Sequence, residues 1–267
     1  MDRDTFNKFR KIIYDKSGIT LGEGKESLVS ARIAKRMRFL EIDDGKVYLQ
    51  YIIDDNKGDE IIHLLDAIST NVTSFFREPT HFDYIETLIP KWIAQGKKSF
   101  RFWSSASSTG EEPYSLAITL LEMIKDPSID IKILATDIST RVLDKCDEGI
   151  YNKEKVNVIR QPLVDRYFDC SKTNKETFYR VKKNVKDLVV FKRLNLSSPP
   201  FPMKGPFDVV FCRNVMIYFD NIVRTALIRE IYRLLKPGGY LMIGHAESLI
   251  GLSTDFKLVL PSIYVKD

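Results

Sequence analysis

At 267 residues the chain is long enough for one large α/β domain and a smaller one, and its 44% hydrophobic and 29% charged content is that of an ordinary soluble globular protein. No uninterrupted apolar run approaches the roughly 18 residues of a membrane span, and Met1-Asp2-Arg3-Asp4 opens into a polar helical pattern with no signal-peptide core. The net charge of +5 favours an acidic partner only mildly and leaves nucleic acid and acidic protein surfaces both open.

Up to about residue 90 the chain reads as helical. Phe6, Phe9, Ile12 and Ile13 mark an amphipathic helix ending at Gly18. A second helix is expected over 27–40, with Val29, Ile33, Met37 and Leu40 on one face. Residues 47–53 and 60–68 read as a third and fourth, split by Asp54-Asp55-Asn56-Lys57-Gly58, and 81–94 as another, opened by Glu78-Pro79-Thr80. From Phe100 short apolar runs at 100–104, 131–136, 188–193, 208–212 and 240–244 alternate with helical segments at 111–124, 139–146 and 221–235. That alternation predicts a parallel, doubly wound α/β sheet over 91–267, after an all-helical domain at 1–90. Between Gly149 and Val189 there is too much chain for one crossover, and it holds the strand-like Thr177-Phe178-Tyr179-Arg180-Val181. A small inserted β-subdomain with a hairpin is expected at about 150–187, and a closing antiparallel strand or hairpin at 256–265. Cys146, Cys170 and Cys212 are odd in number and well separated, as reduced thiols are. His63, His81 and His245 are scattered and match no ligand spacing, so no metal is expected.

The first strand of such a sheet ends where a nucleotide-bearing ligand can meet a helix N-terminus. That junction here is Ser104-Ser105-Ala106-Ser107-Ser108-Thr109-Gly110-Glu111-Glu112-Pro113, whose small residues allow close backbone approach. Its acidic pair would repel a pyrophosphate but suits the ammonium and sulfonium of S-adenosylmethionine. The same Glu-Glu-Pro is also a good helix-start composition. Asp137, at the end of the second strand, stands where an acid accepts hydrogen bonds from ribose hydroxyls, or could equally cap the helix that follows.

Asn71-Val72-Thr73-Ser74-Phe75-Phe76-Arg77-Glu78, the loop 107–115, Ala135-Thr136-Asp137-Ile138, Phe211-Cys212-Arg213-Asn214-Val215-Met216-Ile217-Tyr218-Phe219, Leu235-Lys236-Pro237-Gly238-Gly239 and Gly244-His245-Ala246-Glu247-Ser248 together closely resemble the CheR-type chemotaxis methyltransferases, in the family's order and along nearly the whole chain. The resemblance implies a class I, Rossmann-like methyltransferase domain behind an all-α domain. It also implies transfer of the methyl of S-adenosylmethionine to receptor glutamates, leaving S-adenosylhomocysteine. Carried over by matching position, Asn71, Thr73 and Arg77 reach the methionine end, Glu111 holds the amino group and Asp137 the ribose. Asn195 and Leu196 flank the adenine, and Arg213 and Asn214 line the pocket. A glutamate acceptor is already ionised at neutral pH, so no general base is needed and no catalytic side chain is assigned; Tyr218 could position the acceptor or be core.

On the helix at 27–40, Arg32, Lys35, Arg36 and Arg38 project away from the apolar face. Such a run could be mere solvated surface, but the resemblance implies docking of the acidic methylation helices of chemoreceptors by a cytoplasmic monomer that does not itself enter the membrane. Some family members also grip an aromatic-containing receptor tail on the inserted subdomain, and share a glycine-rich turn there. Residues 171–177 contain no glycine, so no tail tethering is expected. Two other readings stand beside this one. A nucleic-acid methyltransferase is disfavoured by Arg213-Asn214-Val215-Met216, where base methylases often carry an Asn/Asp-Pro-Pro-aromatic string. A cofactor-binding module without activity is not separated by these residues.

Overall fold

The computed structural model describes every residue except Glu23, Lys25, Lys57, Thr70, Asn71, Asn174 and Lys175. Four helices open the chain: α1 (Arg3–Ser17), α2 (Glu26–Phe39), α3 (Gly45–Asp54) and α4 (Asp59–Ile68). Asp2 caps α1 by accepting from Thr5 N at 2.9 Å, and Gly18 ends it at φ 68°. A Cβ at Gly18 would meet Ser197 Cβ at 2.5 Å, so glycine there also lets the helical unit approach the rest of the chain. Phe9, Ile13, Ile33, Tyr48 and Leu64, none of them exposed, fill the core between the four helices.

The fifth helix, α5 (Thr80–Ala94), belongs elsewhere. Its Phe82, Ile85 and Ile89 pack with Phe100, Phe102 and Phe211 of the sheet, not with the helical core. The boundary expected at residue 90 therefore falls before α5, because burial follows the face a helix shares with its neighbours and not its position in a run of helices.

The sheet and its crossovers follow as β1 (Ser99–Ser104), α6 (Glu111–Met123), β2 (Asp130–Asp137) and α7 (Thr140–Glu148). An insertion contains β3 (Ile150–Asn152), α8 (Lys153–Val156), α9 (Gln161–Tyr167), β4 (Phe168–Lys172), β5 (Thr177–Val181) and α10 (Lys183–Lys186). Then come β6 (Val189–Arg193), β7 (Phe207–Cys212), α11 (Asn221–Leu234), β8 (Leu235–Ile243), β9 (Lys257–Leu260) and β10 (Ile263–Val265). The main sheet has the order β6-β2-β1-β7-β8-β10-β9, parallel up to β8, with β10 antiparallel to both its neighbours. The insertion is its own antiparallel sheet, β3-β5-β4, which includes the expected hairpin. Every residue of β7 is buried, as a central parallel strand requires. Val209 and Phe211 join the core under α5 and α6, while Val210 and Cys212 join the opposite one with Leu227 and Ile231 of α11.

Candidate functional site

Chain order reverses between β1 and β7, and there the carboxyl ends of the strands open onto a cavity of about 380 Å³. Ser105, Ala106 and Ser108 after β1, Asp137 at the end of β2, Leu194–Leu196 after β6 and Arg213–Val215 after β7 form its sheet side. The helical unit supplies Ile19–Leu21, Leu28, Val29 and Arg32, and the linker supplies Val72, Thr73 and Arg77. Helical unit and sheet are joined at this place. Thr20 N donates to Tyr218 O at 2.8 Å, Ile19 bridges Phe219, and Tyr14 Oη donates to Asp220 at 2.6 Å.

Of the residues marked in the sequence, Thr73, Arg77, Asp137, Asn195, Leu196, Arg213, Asn214 and Tyr218 come together on the cavity. Asn71 lies outside the described residues. Asp137 accepts from Ser108 N at 2.9 Å and Ser139 N at 3.0 Å, which ties the loop after β1 to the end of β2. Burial pushes its carboxyl up to about 6 in spite of those two bonds. Asn195 lines the cavity, but its amide serves a turn: it donates to Lys16 O at 2.8 Å and accepts from Ser197 N at 3.0 Å.

Glu111 is displaced from its expected role. It is fully buried and absent from the cavity lining, and its carboxylate is held by Lys155 of α8 and by Thr109 Oγ1 at 2.7 Å. Its neighbour Glu112 faces the cavity instead. One residue along a helix turns a side chain by about 100°, which separates the two acids completely. Glu112 accepts from Arg213 Nη1 at 2.8 Å and Ser104 Oγ at 2.7 Å; burial outweighs the guanidinium and raises its carboxyl.

Arg213 also donates to Glu78 at 3.1 and 3.2 Å and to the carbonyl of Arg77, so it pins the linker against the sheet. Burial alone would raise Glu78, but Arg213 and the His245 N–H hold it below the usual carboxylate range. Glu78 and Glu247 carry no role in the sequence reading. Glu247 accepts four backbone N–H groups: Asn214 at 2.9 Å, Gly244 at 2.7 Å, Met216 at 2.8 Å and Ile217 at 3.3 Å. It fixes the path of the loop after β7, and a Cβ at Gly244 would meet its Oε2 at 2.9 Å. Phe76 (φ 51°), Glu78 (φ 55°), Ser108 (φ 47°) and Asn214 (φ 55°) are non-glycine residues in left-handed conformation that flank or line the cavity. Backbone of this kind persists where surrounding contacts over-determine it.

The basic face of α2 divides. Lys35 and Arg38 are exposed. Arg36 is paired with the buried Glu60 at 2.9 and 2.6 Å, and Tyr48 donates to the same carboxylate at 2.6 Å. Arg32 turns to the carbonyls of Ile68 and Ser69 at the end of α4, at 2.5 and 3.2 Å, and lines the cavity. Two of the four residues expected to dock a partner, Arg32 and Arg36, are thus committed within the protein, because both side chains reach acceptors on α4 or just after it.

The cavity offers a buried acid at the end of β2 and a second acid at the start of α6. Ser108 Oγ, also on its lining, is buried without a hydrogen-bond partner. A polar, cationic nucleoside fits these groups, whereas a pyrophosphate would meet carboxylates. The parallel sheet with its antiparallel last strand, and acids at the switch point, define a methyltransferase of the class that uses S-adenosylmethionine. The chain belongs to the CheR methyltransferase family: residues 4–69 match its all-alpha domain and residues 71–265 its SAM binding domain. It is 36% identical to a chemotaxis protein methyltransferase of Klebsiella aerogenes over 97% of this chain and 88% of that one. Against those of Borreliella burgdorferi and Escherichia coli the values are 35% over 99% and 95%, and 36% over 97% and 89%. A solved SAM-dependent methyltransferase from Methanosarcina mazei superposes with a TM-score of 0.33 over 57% of this chain and 55% of its own, at 18% identity, too loosely to carry an argument.

Proposed function

We propose that this protein methylates glutamate side chains of chemoreceptors, forming glutamate methyl esters and S-adenosylhomocysteine, in chemotaxis adaptation or a related signalling pathway. The carrying observation is the convergence of Asp137, Glu112, Arg213 and the Thr73–Arg77 linker on one cavity in a chain of this family. In this reading Asp137 accepts from the ribose hydroxyls, and Asn195 and Leu196 flank the adenine. Arg77, with Asn71 and Thr73, takes the methionine carboxylate. Glu112 takes the amino-group role first given to Glu111, and Arg213 and Asn214 hold the pocket's shape.

The bound cofactor supplies an activated methyl group on a cationic sulfur. The acceptor carboxylate, with a reference pKa near 4.3, arrives ionised, so the chain needs no base. Its residues work by alignment and exclusion of water: Ile19, Leu21 and Val72 close the apolar side of the cavity, and Tyr218 orients the acceptor. The partner is a cytoplasmic methylation helix, met by the exposed Lys35 and Arg38 of α2 by a soluble monomer. No helix among the described residues is long and apolar enough to cross a membrane. Thr173 N donates to Glu176 O at 2.9 Å between β4 and β5, and residues 171–177 contain no glycine. A receptor tail peptide should therefore bind the full chain no more tightly than millimolar in a titration, and micromolar binding would remove this part of the reading.

The deciding experiment is transfer of labelled methyl to receptor fragments. A base-labile label on glutamate supports the proposal. Label on nucleic acid, or cofactor binding without transfer to any fragment, sinks it.

A further inference from the structure

Glu78, His81 and His245 each bring one ligand-type atom into a cluster whose members all lie within 4.8 Å of one another. Glu78 and His81 stand together at the start of α5, and His245, far along the chain, follows β8. The two imidazole rings meet edge to face with centroids 5.2 Å apart. His81 is fully buried, and its Nε2 lies 2.8 Å from Ser262 Oγ. Ser262 gives its own hydroxyl proton to the Pro261 carbonyl at 2.6 Å. A hydroxyl has one proton; given to that carbonyl, it leaves Ser262 to accept from Nε2, the tautomer with the imidazole hydrogen on Nε2. Nδ1 is then a bare lone pair. It has no hydrogen-bond partner, and it faces Glu78 Oε2 at 3.6 Å. That lone pair and the half-buried Glu78 carboxylate face each other with no hydrogen between them, an arrangement that a cation placed between them would satisfy. Arg213 does not: its guanidinium meets Glu78 Oε2 through Nε and Nη2 at 3.2 and 3.1 Å and is shared with Glu112.

We propose that Glu78, His81 and His245 form a binding site for a divalent transition metal of the zinc type. Two imidazoles and a carboxylate are a donor set that zinc accepts. Bonds of about 2.0–2.2 Å in tetrahedral array set the donor atoms about 3.3 Å apart. The separation of His81 and Glu78 is within a few tenths of that, and His245, exposed on its loop, closes the remainder by side-chain rotation. Methyl transfer needs no metal. Occupancy would act on the cavity indirectly, because Glu78 also accepts from Asn214 Nδ2 at 3.4 Å and anchors Arg213. The inference does not depend on which protein is methylated.

The test uses the full chain in a Cys170→Ser background, since the exposed Cys170 thiol would bind zinc on its own. Zn²⁺ is titrated against a chromophoric chelator, and Co²⁺ is followed by its visible absorption. One Zn²⁺ per chain is expected, with Co²⁺ bands of a four- or five-coordinate nitrogen and oxygen site. His245→Ala should weaken binding by at least about tenfold, whereas His63→Ala, outside the cluster, should not. His81 is left intact because its burial puts folding at risk. Binding unchanged in His245→Ala, or no binding below about 100 µM in the unsubstituted cluster, overturns the site.

Discussion

Lowering the pH from about 7 to about 5 should weaken S-adenosylhomocysteine binding about tenfold, through Asp137 alone. Ribose hydroxyls donate more strongly to the carboxylate than to the neutral acid, so on the proposed role of Asp137 affinity follows the ionised fraction. With its carboxyl pushed up to about 6, Asp137 is nearly all ionised at the upper pH and about one-tenth ionised at the lower. Stability of the cofactor-free protein moves in the opposite sense. The folded value lies above the unfolded one near 3.8, so the contribution is full below that pH and is lost as pH rises through about 6, at a cost of about 3 kcal/mol. Calorimetry across this range, in buffers of different ionisation enthalpy, reads both the affinity and the proton released on binding. Asp137→Ala should bind more weakly by about 1–3 kcal/mol at neutral pH and lose the Asp137 part of the slope. An affinity that is flat with pH in the parent protein, or a slope identical in the folded variant, refutes the reasoning.

Lys35→Glu with Arg38→Glu should raise the receptor KM and steepen no other parameter, and parental activity should fall as salt rises; a normal receptor KM would leave α2 as plain surface. Arg36→Ala should instead cost about 3 kcal/mol of stability in denaturant titration, since it strands the buried Glu60; loss below about 1 kcal/mol would contradict the ion pair's assigned role. Glu247→Gln puts an amide nitrogen against backbone N–H donors and should lower both the melting temperature and cofactor affinity, by about 1–3 kcal/mol for each N–H left unpaired. Unchanged melting and affinity would show that the loop after β7 holds its path without it.

The sheet was legible because its strands are short apolar runs broken by helix-period segments, and Asp137 because it follows such a run at a fixed place. What stayed hidden depends on partners distant in the chain. Periodicity found α5 but says nothing about which core it enters; Phe82 and Ile85 chose the sheet. The apolar stripe of α2 located Arg36 on the other face, yet nothing local marks Glu60, 24 residues on, as its acceptor. The acidic pair after Gly110 was visible as a pair, while the direction of Glu111 was set by Lys155 on an insertion whose fold the sequence only outlines, and that of Glu112 by Arg213 after β7. Glu78 itself has a left-handed backbone and Glu247 accepts from the N–H of Asn214, which does too, and composition gives no warning of such conformations at non-glycine residues. His81 and His245 were read by their spacing as unrelated, and only the turn back of the chain after β8 sets their rings together.

Leu28, Val29 and Arg32 give α2 a side on the cavity, while Lys35 and Arg38 present its other side outward. On the docking role proposed for Lys35 and Arg38, one helix then borders both ligands. Any preference of the receptor for the position α2 takes when the cofactor is bound must be returned in kind: each ligand tightens the other by the same factor. Because the spent cofactor lacks the methyl group and the sulfonium charge, that shared helix gives the protein a means to hold its receptor differently before and after transfer, and so to let go once the ester is made.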